Sequence, residues 1–141
     1  MKEKLSRRFK DFEKALNNLE SALNNIVDDL DIDGAIKRFE LCYDLSWKLM
    51  KNYLESQGII VRSPRACFKE AYQNELIEDE YEWMIMIDDR NMLVHDYTFE
   101  ESRKIFNKIK DNYFRLLKNF YLKIKERIKS DVYRKNQRDG Y

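Results

Sequence analysis

The sequence predicts an all-α protein: an up-and-down helical bundle of four long helices plus one short helix. Three observations lead there. Three glycines and one proline are the only strong breakers in 141 residues, so few positions can interrupt a helix. Charged residues supply 38% and aromatics 13%, a helical composition far too rich in large apolar side chains for a disordered chain. Apolar residues recur at spacings of three, four and seven, the signature of a buried helix face, with no strand-like alternation and no internal repeat. The length fits one domain around one core. It is read as residues 1–129, followed by a polar tail over residues 130–141.

The first helix is expected from about Lys2 to Leu30, with Leu5, Phe9, Phe12, Leu16, Leu19, Leu23 and Ile26 on one face. Asp31 and Asp33 then offer N-caps for a second helix over Gly34 to Ser56. Its apolar positions Ile36, Phe39, Tyr43, Met50, Tyr53 and Leu54 mark one side, and Leu41, Leu45 and Trp47 another. So wide an apolar surface marks a central helix or one that also meets a partner. Gly58 sits where a helix C-cap is wanted. Ser63-Pro64 restarts the chain as an N-cap followed by proline in the first turn, giving a short third helix to about Asn74. A fourth runs from about Asp79, with Tyr81, Met84 or Ile85, Asp88, Met92 and His95 expected as its inward stripe. Thr98 with Glu101 matches a capping box for the fifth helix. It is expected to reach Lys129, with Ile105, Ile109, Tyr113, Leu116, Leu117, Phe120, Ile124 and Ile128 inward.

The net charge of +1 points to no partner, but its distribution is uneven. Ten acids and one base, Arg90, lie between Glu75 and Glu101, whereas Lys108 to Lys129 holds eight bases and two acids. A basic surface is therefore expected on the last helix. Cys42 and Cys67 fall in apolar helical patterns without metal-like spacing and read as buried thiols. No apolar run approaches the ~20 residues a membrane span needs, and no signal peptide is evident. A cytoplasmic location is expected.

The segment with chemical content is Arg90-Asn91-Met92-Leu93-Val94-His95-Asp96-Tyr97, which holds the single histidine of the chain. Imidazole is the side chain that ordinarily changes charge near neutrality. On one helix, positions 90 and 95 stand ~7.5 Å apart along the axis and ~140° apart around it. They converge only if the helix ends near His95 or if a second copy supplies the complementary residue. The residues suit metal-free RNA cleavage: His95 as general base or acid, Arg90 on the phosphoryl oxygens, Asn91 orienting a phosphate or base edge, and Tyr97 stacking on a base or accepting a transferred group. Structural readings stand beside these: Arg90 paired with a neighbouring acid, Asn91 capping, Tyr97 packed over the next turn. The acidic surroundings disfavour a free-standing nuclease, because affinity for nucleic acid comes largely from Lys and Arg. No phosphate-cradling glycine loop is present.

Four ordered blocks carry a resemblance: Arg38-Phe39-Glu40-Leu41-Cys42-Tyr43-Asp44-Leu45-Ser46-Trp47-Lys48, Ser63-Pro64-Arg65, Leu76-Ile77 followed by Trp83, and Asp89-Arg90-Asn91 through His95 and Tyr97. Over about Phe12 to Tyr121 the chain resembles the nucleotidyltransferase substrate-binding protein family, a branch of the HEPN superfamily related to the HepT toxins. Leu93-Val94 ahead of the histidine, and Asp96 after it, depart from the residues usual in that pattern. The resemblance implies a helical homodimer working beside a small nucleotidyltransferase, whose active site it completes. That partner would supply the metal-binding carboxylates and an Mg-nucleotide. No cofactor or metal is expected in this chain itself. The resemblance makes Arg90 and His95 candidate catalysts of an RNase site and Tyr97 a candidate acceptor of adenylylation. It also makes Asn91, Arg90, Tyr97, Trp47 and Arg38 candidate contacts to a substrate or nucleotide. For Arg38, Glu40, Trp47 and Lys48 the alternative is a core tryptophan among ordinary helix-surface pairs. For Arg65 it is simple capping against anion binding at a helix start.

Two functional readings follow. One is a substrate-binding, non-catalytic subunit of a two-component nucleotidyltransferase. The other is a ribonuclease toxin of a type VII-like toxin–antitoxin pair, silenced through Tyr97. RNA is an expected partner in the second, with no DNA specificity and no membrane in either.

Overall fold

The computed structural model describes the backbone of residues 2–139 and the side chains of residues 3–131. The fold is all-α, a helical bundle. Its helices are α1 (Lys2–Leu23), α2 (Asp29–Ser56), α3 (Pro64–Gln73), α4 (Glu80–Leu93), α5 (Phe99–Lys108) and α6 (Phe114–Asp139). A π-helical turn, Ile109–Tyr113, joins α5 and α6 into one unbroken rod. That rod continues past the end expected near Lys129.

The first connection differs from the sequence expectation. α1 stops at Leu23 rather than Leu30, because Asn24 and Asn25 close a turn, the Asn25 amide donating to the Ser21 carbonyl at 2.7 Å. Such side chains compete with the helix ladder and favour turns. α2 then begins at Asp29, ahead of the expected Gly34. Asp28 caps it by accepting from the Asp31 amide at 3.0 Å, while the Asp31 carboxylate accepts from the Val27 amide at 2.9 Å. Asp31 thus serves in the first turn, and Asp33 pairs instead with Arg103 at 2.9 Å. Arg103 also reaches Asp29 at 3.2 Å and lies over the Phe99 ring, so the start of α2 is tied to α5.

The other signals hold. Ser63 caps α3 with Pro64 in the first turn. Gly58 ends α2 at φ +84°, where the Ile59 amide returns to the Leu54 carbonyl at 2.9 Å. Thr98 and Glu101 form the reciprocal capping box of α5. Phe12, Leu16 and Leu19 of α1, Phe39, Tyr43, Met50 and Leu54 of α2, and Leu117, Phe120 and Ile124 of α6 are buried. α2 is the central helix, packing on α1, α3 and α5. A chain of aromatic contacts crosses the core: Tyr43 on Phe68, Phe68 on Trp83 at 4.8 Å, Trp83 on Phe120 at 6.1 Å, and Phe120 on Phe12 at 5.5 Å. Offset and edge-on aromatic pairs add ~0.5–1.5 kcal/mol each beyond area burial.

α4 is rotated relative to the stripe expected from sequence. Tyr81, Asp88, Met92 and His95 are exposed, and Trp83, Met86, Ile87 and Leu93 face inward. The physical reason lies in the two stripes themselves. The expected one would bury Asp88 and His95 and strand Trp83 in water, whereas the observed one buries four large apolar side chains. An unpaired buried polar group costs ~1–3 kcal/mol, about what a buried large side chain contributes.

Gly34 and Gly58 should respond oppositely to alanine. Gly34 lies inside α2, and a methyl group added there would meet nothing within 4 Å, so Gly34→Ala should stabilise by about 0.5–1 kcal/mol. Gly58→Ala at positive φ should destabilise by about 1 kcal/mol. Urea unfolding of both variants reads the difference, and equal shifts would contradict the placement of α2.

Candidate functional site

The octapeptide begins inside α4 and ends outside it. Met86, Ile87 and Leu93 hold the last turns of α4 on the core, which directs Arg90, on the same stripe, toward α2. There one Arg90 Nη lies 3.2 Å from each carboxylate oxygen of Asp44, and the guanidinium stands 5.6 Å from the centroid of the Tyr43 ring. The pair is half-buried, with side-chain exposures of 25% for Arg90 and 33% for Asp44. The Arg90 Nε is buried without a hydrogen-bond partner among the described residues. Glu40 lies near the same charge. Its pKa is pushed up by burial, while Lys37 and Arg90 pull it back.

After Leu93 the helix closes with tightened turns, the Val94 amide donating to the Asn91 carbonyl and the His95 amide to the Met92 carbonyl. His95, Asp96 and Tyr97 form the exposed link to the Thr98 cap of α5. Asn91 is exposed as well, and Tyr97 shows 45% of its surface. The neighbouring residues Met92, Val94 and Phe99 are exposed apolar side chains as well. Arg90 is thus joined to Asp44, and among the described residues no hydrogen bond joins it to His95. Arg90 takes the structural role of pairing with an acid, while Asn91, His95 and Tyr97 share an open face.

The other two candidates lie elsewhere. Trp47 is half-buried in a groove of about 540 Å³ between α1, α2 and residues 60–62. Arg38 lines a separate cleft between the end of α1 and the start of α2, with Asn18, Asn25 and Asp31. Neither concavity includes a residue of the octapeptide. Arg65 lies 3.8 Å from Asp88 across α3 and α4, both largely exposed.

Three contributors carry no local signal in the sequence. Asp44 and Tyr43, which receive Arg90, lie 46 and 47 positions away from it, so only tertiary packing reveals them. Asp89 is the third: it accepts from the Tyr113 hydroxyl and from Lys108 at 3.0 Å, and Asn112 donates to Glu82 at 2.9 Å. Both Asn112 and Tyr113 belong to the π-helical turn, a local widening often found where a helix must re-aim side chains. It fastens the outer side of α4 beside Arg90. Among the described residues no group of three or more His, Cys, Asp or Glu side chains is placed to hold a metal ion.

The sequence model of the family described as nucleotidyltransferase substrate binding protein like matches residues 7–126. The chain belongs to that family. The matched span contains the octapeptide, Trp47 and Arg38. A curated relative, the probable ribonuclease HepT of Haemophilus influenzae, is 35% identical over 92 residues, which are 62% of this chain and 63% of that protein. The chain therefore spans somewhat less than two thirds of that relative's length. Among solved structures, the protein ttk003001694 from Thermus thermophilus superposes with a TM-score of 0.71 at 32% identity, over 77% of this chain and 94% of that one. The H. influenzae protein HI0074, described as revealing the fold of a substrate binding domain of a nucleotidyltransferase, shares the fold. Its TM-score is 0.64 at 24% identity, over 86% of this chain and 96% of that one.

This family member should lose stability in alkali. Burial pushes the thiols of Cys42 and Cys67 up, the latter to about 12, and burial likewise raises the Tyr43 and Tyr113 phenols. Asp89, the hydrogen-bond partner of Tyr113, raises that phenol further. Such groups keep their protons in the folded state after the unfolded chain has released them, so the unfolded state binds fewer protons and stability falls with pH. The stabilisation is whole below about pH 9, the ordinary thiol value, and is lost progressively above it. Urea midpoints between pH 7 and 10.5 should hold level and then decline. A rising midpoint above pH 9 would contradict the burial of these groups.

Proposed function

We propose that this chain is the substrate-binding, non-catalytic subunit of a two-component system, acting as a homodimer beside a small nucleotidyltransferase and completing that partner's active site. The observation that carries the reading is the open face at the end of α4, where Asn91, His95 and Tyr97 are exposed beside exposed Met92, Val94 and Phe99. Polar groups able to orient a phosphate or base are presented there within an apolar rim, a layout suited to docking against another protein. Family membership over residues 7–126 supports the same reading. The partner would bring the carboxylates and the Mg-nucleotide. Among the described residues no helix is long and apolar enough to cross a membrane.

A second reading is favoured by one specific observation: the set Arg90, His95 and Tyr97 is complete, and a relative at 35% identity bears the name probable ribonuclease HepT. In that reading His95 removes the proton of an RNA 2′-hydroxyl, and Arg90 stabilises charge on the phosphoryl oxygens. Arg90 is already engaged by Asp44 within one chain, so a second copy would have to help assemble the site. Silencing would follow if the Tyr97 phenol oxygen attacked the α-phosphorus of the partner's ATP. A phosphoester would form, pyrophosphate would leave, and the phenol proton would pass to solvent.

Expression of this chain alone and with its neighbouring nucleotidyltransferase separates the two. The subunit reading predicts normal growth, an unmodified intact mass, co-purification of the two proteins, and nucleotide binding only in the complex. Growth arrest abolished by His95→Ala and relieved by the partner, with an AMP-sized mass increase lost in Tyr97→Phe, would overturn it in favour of the ribonuclease.

A further inference from the structure

The groove at Trp47 is built differently from the face after α4. Its walls come from three segments that are remote in sequence: Lys4 and Arg8 from α1, Lys48 and Lys51 from α2, and Arg62 from the link that follows it. Five cations therefore border one concavity, with Glu55 as the single acid in its lining. In a chain of net charge +1, that is a strong local concentration of positive charge, and concave walls focus it. None of the eight bases of Lys108 to Lys129 lines it. Three partly buried groups are already fixed: Arg8 Nε donates to the Asn52 side chain at 3.2 Å, Lys51 Nζ stands 5.8 Å from the Trp47 ring centroid, and the Trp47 carbonyl accepts from Cys67 Sγ at 3.6 Å. Ile60, 71% exposed, adds an apolar edge to the same groove.

Cations that track a backbone beside an aromatic ring and an apolar edge are the recognition chemistry of a single nucleic-acid strand. Phosphates meet the Lys and Arg groups and a base stacks on the ring. A duplex would hide its base faces and gain nothing from Trp47, and an acidic protein surface would not need the ring either. We infer that the groove lined by Lys4, Arg8, Lys48, Lys51 and Arg62 binds a single nucleic-acid strand and stacks one base on Trp47. Binding in the groove does not require the octapeptide to react, so this role extends beyond the function proposed above.

The test is fluorescence anisotropy with a labelled 12-nucleotide oligouridylate, and its oligothymidylate counterpart, read against salt. The full-length His95→Ala protein is used, so that cleavage cannot consume the probe and a failure of the groove stays distinct from a failure of the ribonuclease reading. Lys48→Glu/Lys51→Glu, at one exposed and one half-buried position of α2 and checked for fold by circular dichroism, should weaken binding at least tenfold. The same double variant should flatten the log K against log salt slope by about 1.4, since each phosphate contact to a single strand contributes ~0.7. Trp47→Leu should weaken binding fivefold or more with the slope unchanged, and Trp47→Phe should restore most of it. Undiminished binding in the double variant would overturn the proposal, as would absence of binding by the wild-type groove to either probe. Loss of nucleotidyltransferase co-purification in the double variant, without oligonucleotide binding by the parent, would make the groove a protein interface and equally overturn it.

Discussion

The position of Trp83 governs the rest of the structure. Its indole lies 4.8 Å from Phe68 and 6.1 Å from Phe120, and so joins α3, α4 and α6 at one point. A side chain of that size cannot be moved to solvent without losing its buried area and two aromatic contacts. Once Trp83 is inside, the helical period places Met86, Ile87, Arg90 and Leu93 beneath the same face. The orientation of every chemically interesting residue on α4 follows from that one choice. Arg90 meets α2, and Asn91 and the residues after Leu93 meet solvent.

An arginine delivered to a half-buried position must find a partner, because removing a cation from water without compensation is expensive. Asp44 supplies the charge and the Tyr43 ring the flat face. Tyr43 packs edge-on against Phe68, so the residue that receives the guanidinium belongs to the same aromatic chain that placed it. On the opposite side, Asp89 and Glu82 are fastened by Tyr113, Lys108 and Asn112 across the π-helical turn. α4 is held from both flanks, and the exposed link after it runs directly into the Thr98 cap of α5.

Much of this is legible in the sequence, for identifiable reasons. The faces of α1, α2 and the final rod are readable because long stripes of Leu, Ile and Phe at a 3.6-residue period have one way to be buried. The Thr98–Glu101 capping box and the Ser63-Pro64 start are readable because they are local. The inward face of α4 is not, because both of its candidate stripes carry large apolar residues. The choice between them is made by Phe68 and Phe120, which lie 15 and 37 positions away from Trp83 in sequence. The start of α2 is ambiguous because Asp28, Asp31 and Asp33 are all competent caps, and it is the pairing of Asp33 with Arg103 that removes one of them. The groove at Trp47 is only partly visible. Trp47 stands out within its block with Lys48 and Lys51 close by, but the other three cations arrive from α1 and from residue 62, which nothing local connects.

The octapeptide's arginine is built into the packing of α4 on α2 through Asp44, and the placement of the whole candidate site rests on that contact. A double-mutant cycle of Asp44→Ala and Arg90→Ala in urea unfolding tests it most directly. A coupling of about 1–2 kcal/mol, as contacting partly buried residues show, is the result this structure predicts. Additive effects, with coupling within about 0.3 kcal/mol of zero, would contradict it and would leave Arg90 free to turn toward His95.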